Sequence, residues 1–337
     1  MKVLLAPLNW GLGHASRCVP LVRRLLDEGN EVVLGGDGDS LLLLRKHFPQ
    51  LRYVQLAPLQ LRYSAGRSQV WAMIYALPKL VLWSVKDHIV LRALLRVEYF
   101  DQIISDNRFG LFVNRRSSIS PSKPKCIYIT HQLLIRLPKQ WRWLEPLAAR
   151  MHTQIYTHYD EVWVPDYANK EQSLAGELSH PNPIPDSRIP IKYIGPLSRF
   201  TSLLEDKDGE RFPVVAVLSG LEPHRTLLET QIVERYLGRE DRVLIVQGLL
   251  GKPGLRVTYK NVTLVPHMDD AELAQAMCGA EHIIARSGYS SIMDLTALGL
   301  LQSPISNPQS SIELIPTPGQ PEQEYLAQWI ASRSANK

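Results

Sequence analysis

The sequence predicts an α/β protein made of two doubly wound, Rossmann-like domains facing each other across a cleft. Strand-like apolar runs alternate with helical patterns from the first residues onward. The alternation breaks between His180 and Pro196, where Pro181, Pro183, Pro185, Pro190 and Pro196 cluster, and then resumes. A chain of 337 residues also exceeds one ordinary core and suits two domains of about 150 residues each. Alternating strands and helices give parallel sheets covered on both faces, and so dense a set of prolines cannot hold a long helix. The expected division is an N-terminal domain over 1–180, a linker over 181–199 and a C-terminal domain over 200–337.

In the first half, residues 3–8 read as a strand followed by a helix over 20–27. A strand over 32–34 precedes a helix over 40–47, and further strands are expected at 103–105, 126–130 and 161–164. Residues 70–97 are rich in apolar side chains, but Lys79, Lys86 and Asp87 interrupt them before the roughly 20 residues a bilayer span needs. The stretch reads as a core helix or, with Arg92 and Arg96, as a basic amphipathic segment lying on a membrane. In the second half the strands are expected at 214–218, 243–246, 262–265, 282–285 and 312–316. Residues 300–311 form a Ser/Pro/Gln-rich loop where a short helix-to-strand turn is usual.

A hydrophobic content of 45% with 21% charged residues is ordinary for a soluble globular chain and argues against disorder. Cys18, Cys126 and Cys278 are odd in number and far apart, so neither a disulfide framework nor a zinc knuckle is indicated, and a reducing cytoplasm fits. Met1 and Lys2 lead directly into a strand-like run, without the features of a signal peptide, so the chain reads as mature sequence. Charge is unevenly placed: residues 1–180 hold 23 Lys+Arg against 15 Asp+Glu, and residues 181–337 hold 15 against 18. A basic first half suits an anionic acceptor or an anionic membrane surface, which would make the protein peripheral on the inner membrane face. No nucleic-acid-binding motif accompanies that charge, which argues against a nucleic-acid partner.

The most informative segments lie near the C-terminus. Ile284-Ala-Arg286-Ser287-Gly288-Tyr-Ser290-Ser291-Ile-Met-Asp294 reads as a buried strand, a Gly turn and a helix start, whose free N–H groups suit a phosphate. Asp294 in the first turns of that helix suits a ribose diol. Pro316-Thr-Pro-Gly-Gln320-Pro-Glu322-Gln323-Glu324-Tyr325 adds carboxamides and carboxylates suited to sugar hydroxyls. Together they read as a nucleotide-sugar site.

The first half supplies candidate chemistry. In Asn9-Trp10-Gly11-Leu-Gly13-His14 the glycines let the backbone approach a ligand after the first strand, and His14 sits where a general base would be held. Asp106, in Ile103-Ile-Ser-Asp106-Asn107-Arg108, ends another parallel strand at the same sheet edge and could orient the imidazole; the alternative is that it caps the following turn. Asn107 and Arg108 beside it, and His131 after a third strand, are expected to contact an acceptor. In the second half, Ser219-Gly220-Leu-Glu-Pro-His-Arg225 could offer N–H groups and a guanidinium to a pyrophosphate, and the strand end at His267 and Met268 could read a nucleobase edge.

This combination resembles glycosyltransferases of the GT-B fold. The likeness is to the family-28 type that includes the peptidoglycan N-acetylglucosaminyltransferase and, more distantly, to the UDP-glycosyltransferases, and it covers most of the chain. The resemblance implies that His14 belongs to a Gly-rich acceptor loop, with Asn9 and Trp10 where the family has further glycines. It also implies that Arg286, Ser287, Gly288 and Asp294 form the turn and ribose acid, that Gln320, Glu322, Gln323 and Glu324 hold the donor sugar, and that His14 and Asp106 form a dyad. The 300–311 loop is longer than the family pattern.

The expected activity is inverting transfer from a nucleoside-diphosphate sugar, UDP-linked, to a hydroxyl acceptor, lipid-linked in one version. His14 would take the proton while helix N-termini and Arg225 or Arg286 stabilise the departing diphosphate. The scheme needs no permanent cofactor and no metal. Three alternatives stand beside it. A UDP-sugar epimerase on the same architecture would need no acceptor. An NAD-dependent oxidoreductase is suggested by Gly11-x-Gly13 with Asp37 or Asp39, against which Ser16 stands where a third Gly is needed. A noncatalytic nucleotide-sugar-binding protein would bind without turnover.

Overall fold

The computed structural model describes residues 1–59, 69–113, 123–182, 189–201, 210–251, 255–301 and 310–335, with the side chains of 69–77 and 334–335 aside. In it β1 (Lys2–Pro7) is buried along all but its first residue, as a strand covered on both faces must be. It lies central in a seven-stranded parallel sheet. The order runs β3 (Tyr53–Gln55), β2 (Glu31–Gly36), β1, β4 (Gln102–Asp106), β5 (Lys125–Ile129), β6 (Glu161–Val164), β7 (Ile191–Tyr193). The strand order reverses between β1 and β4, which opens a crevice at their carboxyl ends. In that pair Pro7 lies opposite Asp106, so whatever follows β1 meets the end of β4.

The helices α1 (Gly13–Asp27) and α2 (Gly38–His47) cover one face of this sheet through Cys18, Val22, Leu41 and Leu44. The helices α3 (Gln69–Val97) and α4 (Glu145–Tyr156) cover the other through Leu91 and Tyr156. A second sheet, of six strands, runs β10 (Val257–Tyr259), β11 (Val262–Val265), β9 (Val243–Val246), β8 (Val214–Val217), β12 (His282–Arg286), β13 (Ser311–Ile315). Its strands are parallel except β10, which runs antiparallel to β11. It is packed between α5 (His224–Tyr236) on one face and α6 (Asp270–Cys278) with α7 (Tyr289–Ala297) on the other. The last helix, α8 (Pro321–Ala335), leans back on the first half: Leu326 and Ile330 share a core with Leu174, Leu178, Leu197 and Ile292. Two doubly wound domains therefore meet along a common apolar seam.

Four elements differ from the sequence expectation. α1 starts at Gly13, seven residues before the proline that read as its beginning, and Pro20 lies inside it, where its missing N–H leaves the carbonyl of Ser16 without its helical donor. Strand β7 lies within the proline-rich stretch and pairs with β6, so part of the expected linker is an edge of the first sheet, where prolines are tolerated. The short strands β3 and β10 carry too few apolar residues to stand out. Pro183, Pro185 and most of the 300–311 loop lie outside the described residues. Residues 70–97 form a single helix, and no helix among the described residues is long and apolar enough to cross a membrane.

One expected acceptor contact has a different role. Arg108 is fully buried, with Nη1 donating to Asp37 Oδ1 at 2.5 Å, Nε to Asp87 Oδ2 at 2.8 Å and Nη2 to the Ala57 carbonyl at 2.9 Å. It ties β2, α3 and β4 together beneath the sheet edge and has no surface to offer a substrate. Burial pushes the Asp87 carboxyl up, and Arg108 works against that shift. The same contacts occupy Asp37, which removes it as a ribose acid for NAD. Arg108→Met leaves two buried carboxylates without their cation and should cost about 3–5 kcal/mol, read as a lower urea midpoint with an unchanged slope.

Candidate active site

The loop after β1 reaches the crevice with Gly11 at φ +74°, a left-handed conformation that glycine adopts without strain. A Cβ on Gly13 would lie 2.7 Å from Ser290 Oγ of the other domain, and Ser290 Oγ donates to the Gly13 carbonyl at 3.0 Å. The start of α1 therefore abuts the start of α7. His14 and Arg17, three residues apart on α1, share one face of the helix.

Both reach the end of β4. His14 Nδ1 lies 2.9 Å from Asp106 Oδ1. Arg17 Nε donates to Asp106 Oδ2 at 2.6 Å, and its Nη2 makes a close contact with Oδ1. Arg17 Nη1 lies 3.2 Å from His131 Nδ1, and His131 Nε2 lies 2.7 Å from Glu322 Oε1 on α8. The His131 ring stacks on Tyr289 at 4.3 Å and 9°. Side chains from both domains thus join in one polar cluster: His14, Arg17, Asp106, His131 and Glu322.

Burial alone would raise the Asp106 carboxyl, but Arg17 and His14 hold it well below the usual carboxylate range. His14 is shifted down, first by burial and then by Arg17, with Asp106 opposing. A neutral imidazole beside a permanent carboxylate is the form in which a histidine accepts a proton. Arg17 is not among the candidates read from the sequence, although it closes the same segment as His14; the available signal is its three-residue spacing from that histidine. Asn107, at φ +56°, accepts from Tyr128 Oη at 2.8 Å and stands half-buried at the same edge.

In the second domain Arg286 ends β12, buried, with Nη1 on the Pro316 carbonyl at 3.1 Å and Nη2 on the His224 carbonyl at 2.6 Å. Among the described residues no carboxylate pairs with it and its buried Nε has no hydrogen-bond partner, and burial lowers its pKa. Gly288 caps the start of α7, and Ser291 is one turn in. Ser287 Oγ donates to the Gln323 carbonyl at 2.8 Å, and Gln323 Oε1 accepts from Thr317 N at 2.8 Å, which locks the two C-terminal motifs together. Gln320 accepts from Glu324 N at the start of α8, and the Glu324 side chain is exposed.

Arg225 donates to Glu222 and Glu229, so its charge is already spent within its own helix turn. Gly220, at φ +97°, has its Cα 3.9 Å from where a Cβ on Gly11 would lie. Burial, with Lys46 and Arg199, lowers His267 to about 4. Met268 packs against the second core. Asp294 accepts from Ser198 Oγ at 2.6 Å and lies 3.9 Å from Arg199 Nε. Among the described residues no three His, Cys, Asp or Glu side chains are grouped to hold a metal ion.

No family model matches the chain. It is 24% identical over 310 residues to an uncharacterized glycosyltransferase of Methanosarcina acetivorans, covering 89% of this chain and 78% of that one. A second uncharacterized glycosyltransferase of that organism is also 24% identical, over 322 residues, with 89% and 76% covered. Among solved structures, a glycotransferase of kitacinnamycin superposes with a TM-score of 0.58 at 12% identity, over 99% of this chain and 84% of that one. A spinosyn rhamnosyltransferase complexed with thymidine diphosphate gives 0.54 at 14%, over 99% and 85%. A structure described as a UDP-N-acetylglucosamine 2-epimerase of Listeria monocytogenes gives 0.50 at 15%, over 100% and 88%. The fold is the GT-B arrangement of two Rossmann-like domains.

Asp294 gives a pH signature. Burial pushes its carboxyl up to about 6, against the pull of Arg199 and Ser198. The folded state then holds this proton where the unfolded chain has released it, so stability falls as pH rises from about 4 to about 6, by about 3 kcal/mol in all. Asp294→Asn should abolish that decline in a pH series of urea melts; an unchanged slope would clear Asp294 as its source.

Proposed function

From a GT-B chain similar along its length to glycosyltransferases, we propose an inverting glycosyltransferase that moves a sugar from a nucleoside-diphosphate donor, UDP-linked, to a hydroxyl acceptor. The observation that carries this reading is Arg286, a buried cation with no carboxylate partner among the described residues, beside the start of α7 and across the domain contact from His14. A buried uncompensated charge is costly, and a diphosphate there would both neutralise it and meet the free N–H groups of the helix.

In the reaction, His14 with its proton on Nδ1 bonded to Asp106 receives the acceptor hydroxyl proton on Nε2. The freed oxygen attacks the anomeric carbon from the face opposite the diphosphate. As that bond forms, the bond to the leaving oxygen breaks and its electron pair passes to the diphosphate. Arg286 and the α7 N-terminus bind the charge that develops, while Asp106 stabilises the imidazolium. Ser290, Ser291 and Gly288 stand at that helix start, and Glu322 and Gln323 offer acceptors for sugar hydroxyls. An epimerase would need the same donor site and no acceptor, so it is the outcome against which transfer is tested.

A membrane surface as the acceptor's setting is supported by one exposed face of the first domain. On α3, Val81, Leu82, Val85 and Ile89 are exposed at helical spacing. Trp143, 74% exposed, with Leu147 and Met151, is exposed on the segment that packs on the same side of the sheet. Exposed Lys79, Lys86, Lys139, Arg142 and Arg150 flank them. Apolar side chains within a basic rim suit an anionic lipid surface, and the acceptor would be lipid-linked.

His14→Ala should lower transfer by a factor on the order of 10²–10⁴, while donor affinity by calorimetry stays within twofold. In the wild type the acid limb of the rate should fall below the ordinary imidazole value of about 6.5. Arg286→Met should weaken UDP binding by about 1.5–3 kcal/mol, the scale of hydrogen bonds to a charged group; undiminished affinity would remove the diphosphate from this site. The chain should sediment with anionic vesicles in preference to neutral ones and be released by salt, and Trp143→Glu should weaken that association. Equal binding to both vesicle types would remove the membrane role.

A further inference from the structure

Arg17 has only donors to offer and never loses its charge at ordinary pH. Because its Nη1 faces His131 Nδ1 at 3.2 Å, that nitrogen must carry a lone pair, and the neutral ring must hold its proton on Nε2. Nε2 then donates to Glu322 Oε1 at 2.7 Å. The stack on Tyr289, whose hydroxyl is held by the Pro165 carbonyl at 2.7 Å, fixes the ring plane. Among the described residues only Oε1 of Glu322 is engaged, which leaves Oε2 for a sugar hydroxyl.

At His14 the same guanidinium plays the opposite part. Nδ1 has Asp106 Oδ1 and Arg17 Nη2 both at 2.9 Å, and it can serve only one. With its proton on Nδ1 it donates to Asp106, and Nε2 is free to act as base. With its proton on Nε2 it accepts from Arg17, and the base is disabled. Arg17 therefore competes for the productive tautomer. The more strongly Glu322 polarises His131, the better an acceptor His131 Nδ1 becomes, and the more Arg17 is drawn to it and away from His14.

We infer that Arg17 and His131 are positioning residues that pass the state of Glu322, on the donor domain, to the tautomer of His14. The base is then set when the two domains are closed on each other. The inference rests on the glycosyltransferase reading only in assigning Glu322 to the donor sugar; the hydrogen-bond chain can be tested without substrate.

The test uses two-bond proton–nitrogen spectra of the full chain labelled with 15N-histidine, which read each ring's tautomer directly. In the wild type His131 should be protonated on Nε2 and His14 mainly on Nδ1. Glu322→Gln should leave the His131 tautomer in place, since Arg17 still donates to it, yet move His14 toward the Nε2-protonated form. His131→Phe should move His14 likewise, whereas His131→Gln, whose amide oxygen can accept from Arg17 while its N–H donates to Glu322, should restore it. In assays kcat should fall by a factor on the order of ten in Glu322→Gln and His131→Phe, with acceptor KM unchanged. His14 resonances that ignore both variants would overturn the inference, as would His131→Gln behaving like His131→Phe. Absence of transfer by the wild type, with the spectral coupling intact, would count against the activity and not against the coupling. Arg17→Lys is a supplementary variant, because loss of its buried contacts endangers folding, and the outcome does not depend on it.

Discussion

The ion pair between Arg17 and Asp106 is the constraint on which the rest of the site depends. Asp106 is buried at the end of β4, and a buried carboxylate survives only with a cation and hydrogen bonds around it. Arg17 supplies both, and to do so α1 must begin at Gly13 with that face turned to the sheet edge. The same requirement brings His14 to Asp106 and sets His131 against the other side of the guanidinium. Removing either partner would strand a charge under the cleft, so the geometry of the proposed base is tied to the stability of the domain.

Three arginines near strand ends show how local charge count separates structure from chemistry. Arg108 meets two carboxylates and is sealed beneath the edge, where its work is complete before any ligand arrives. Arg17 meets one carboxylate and keeps donors over for two histidines. Among the described residues Arg286 meets none and is bonded to carbonyls alone, which is why the proposed reading balances its charge with a diphosphate. Residue type could not distinguish these roles; the number of acidic neighbours does. Arg225, paired with two glutamates, follows the same rule.

Much of the architecture was legible because parallel strands buried on both faces are nearly continuous apolar runs. β6, β9 and β11 start and stop where those runs do, and both sheets were expected. What escaped were edge elements: β3, β7 and β10 are three residues long, with no fully buried residue, and free of that requirement. At the site, the ends of β1 and β4 could be matched from topology alone, so His14 and Asp106 were expected at one edge, and they lie in contact. Arg17 closes the same segment as His14, and its three-residue spacing from that histidine was the available signal. The burial of Arg108 was hidden because its partners, Asp37 and Asp87, lie 71 and 21 residues away in sequence. Long-range ion pairing leaves no periodic trace.

The proposed reaction, with a base on one face of the donor sugar and a cation beside a helix start on the other, is a single displacement. The most direct measurement is the anomeric configuration of the first product formed from a UDP-sugar, read by proton NMR before any slow mutarotation. The account predicts a configuration opposite to that of the donor. Retention of the donor's configuration would contradict it, since that outcome requires either two displacements or a departure and return on one face, neither of which His14 and Asp106 are arranged to perform.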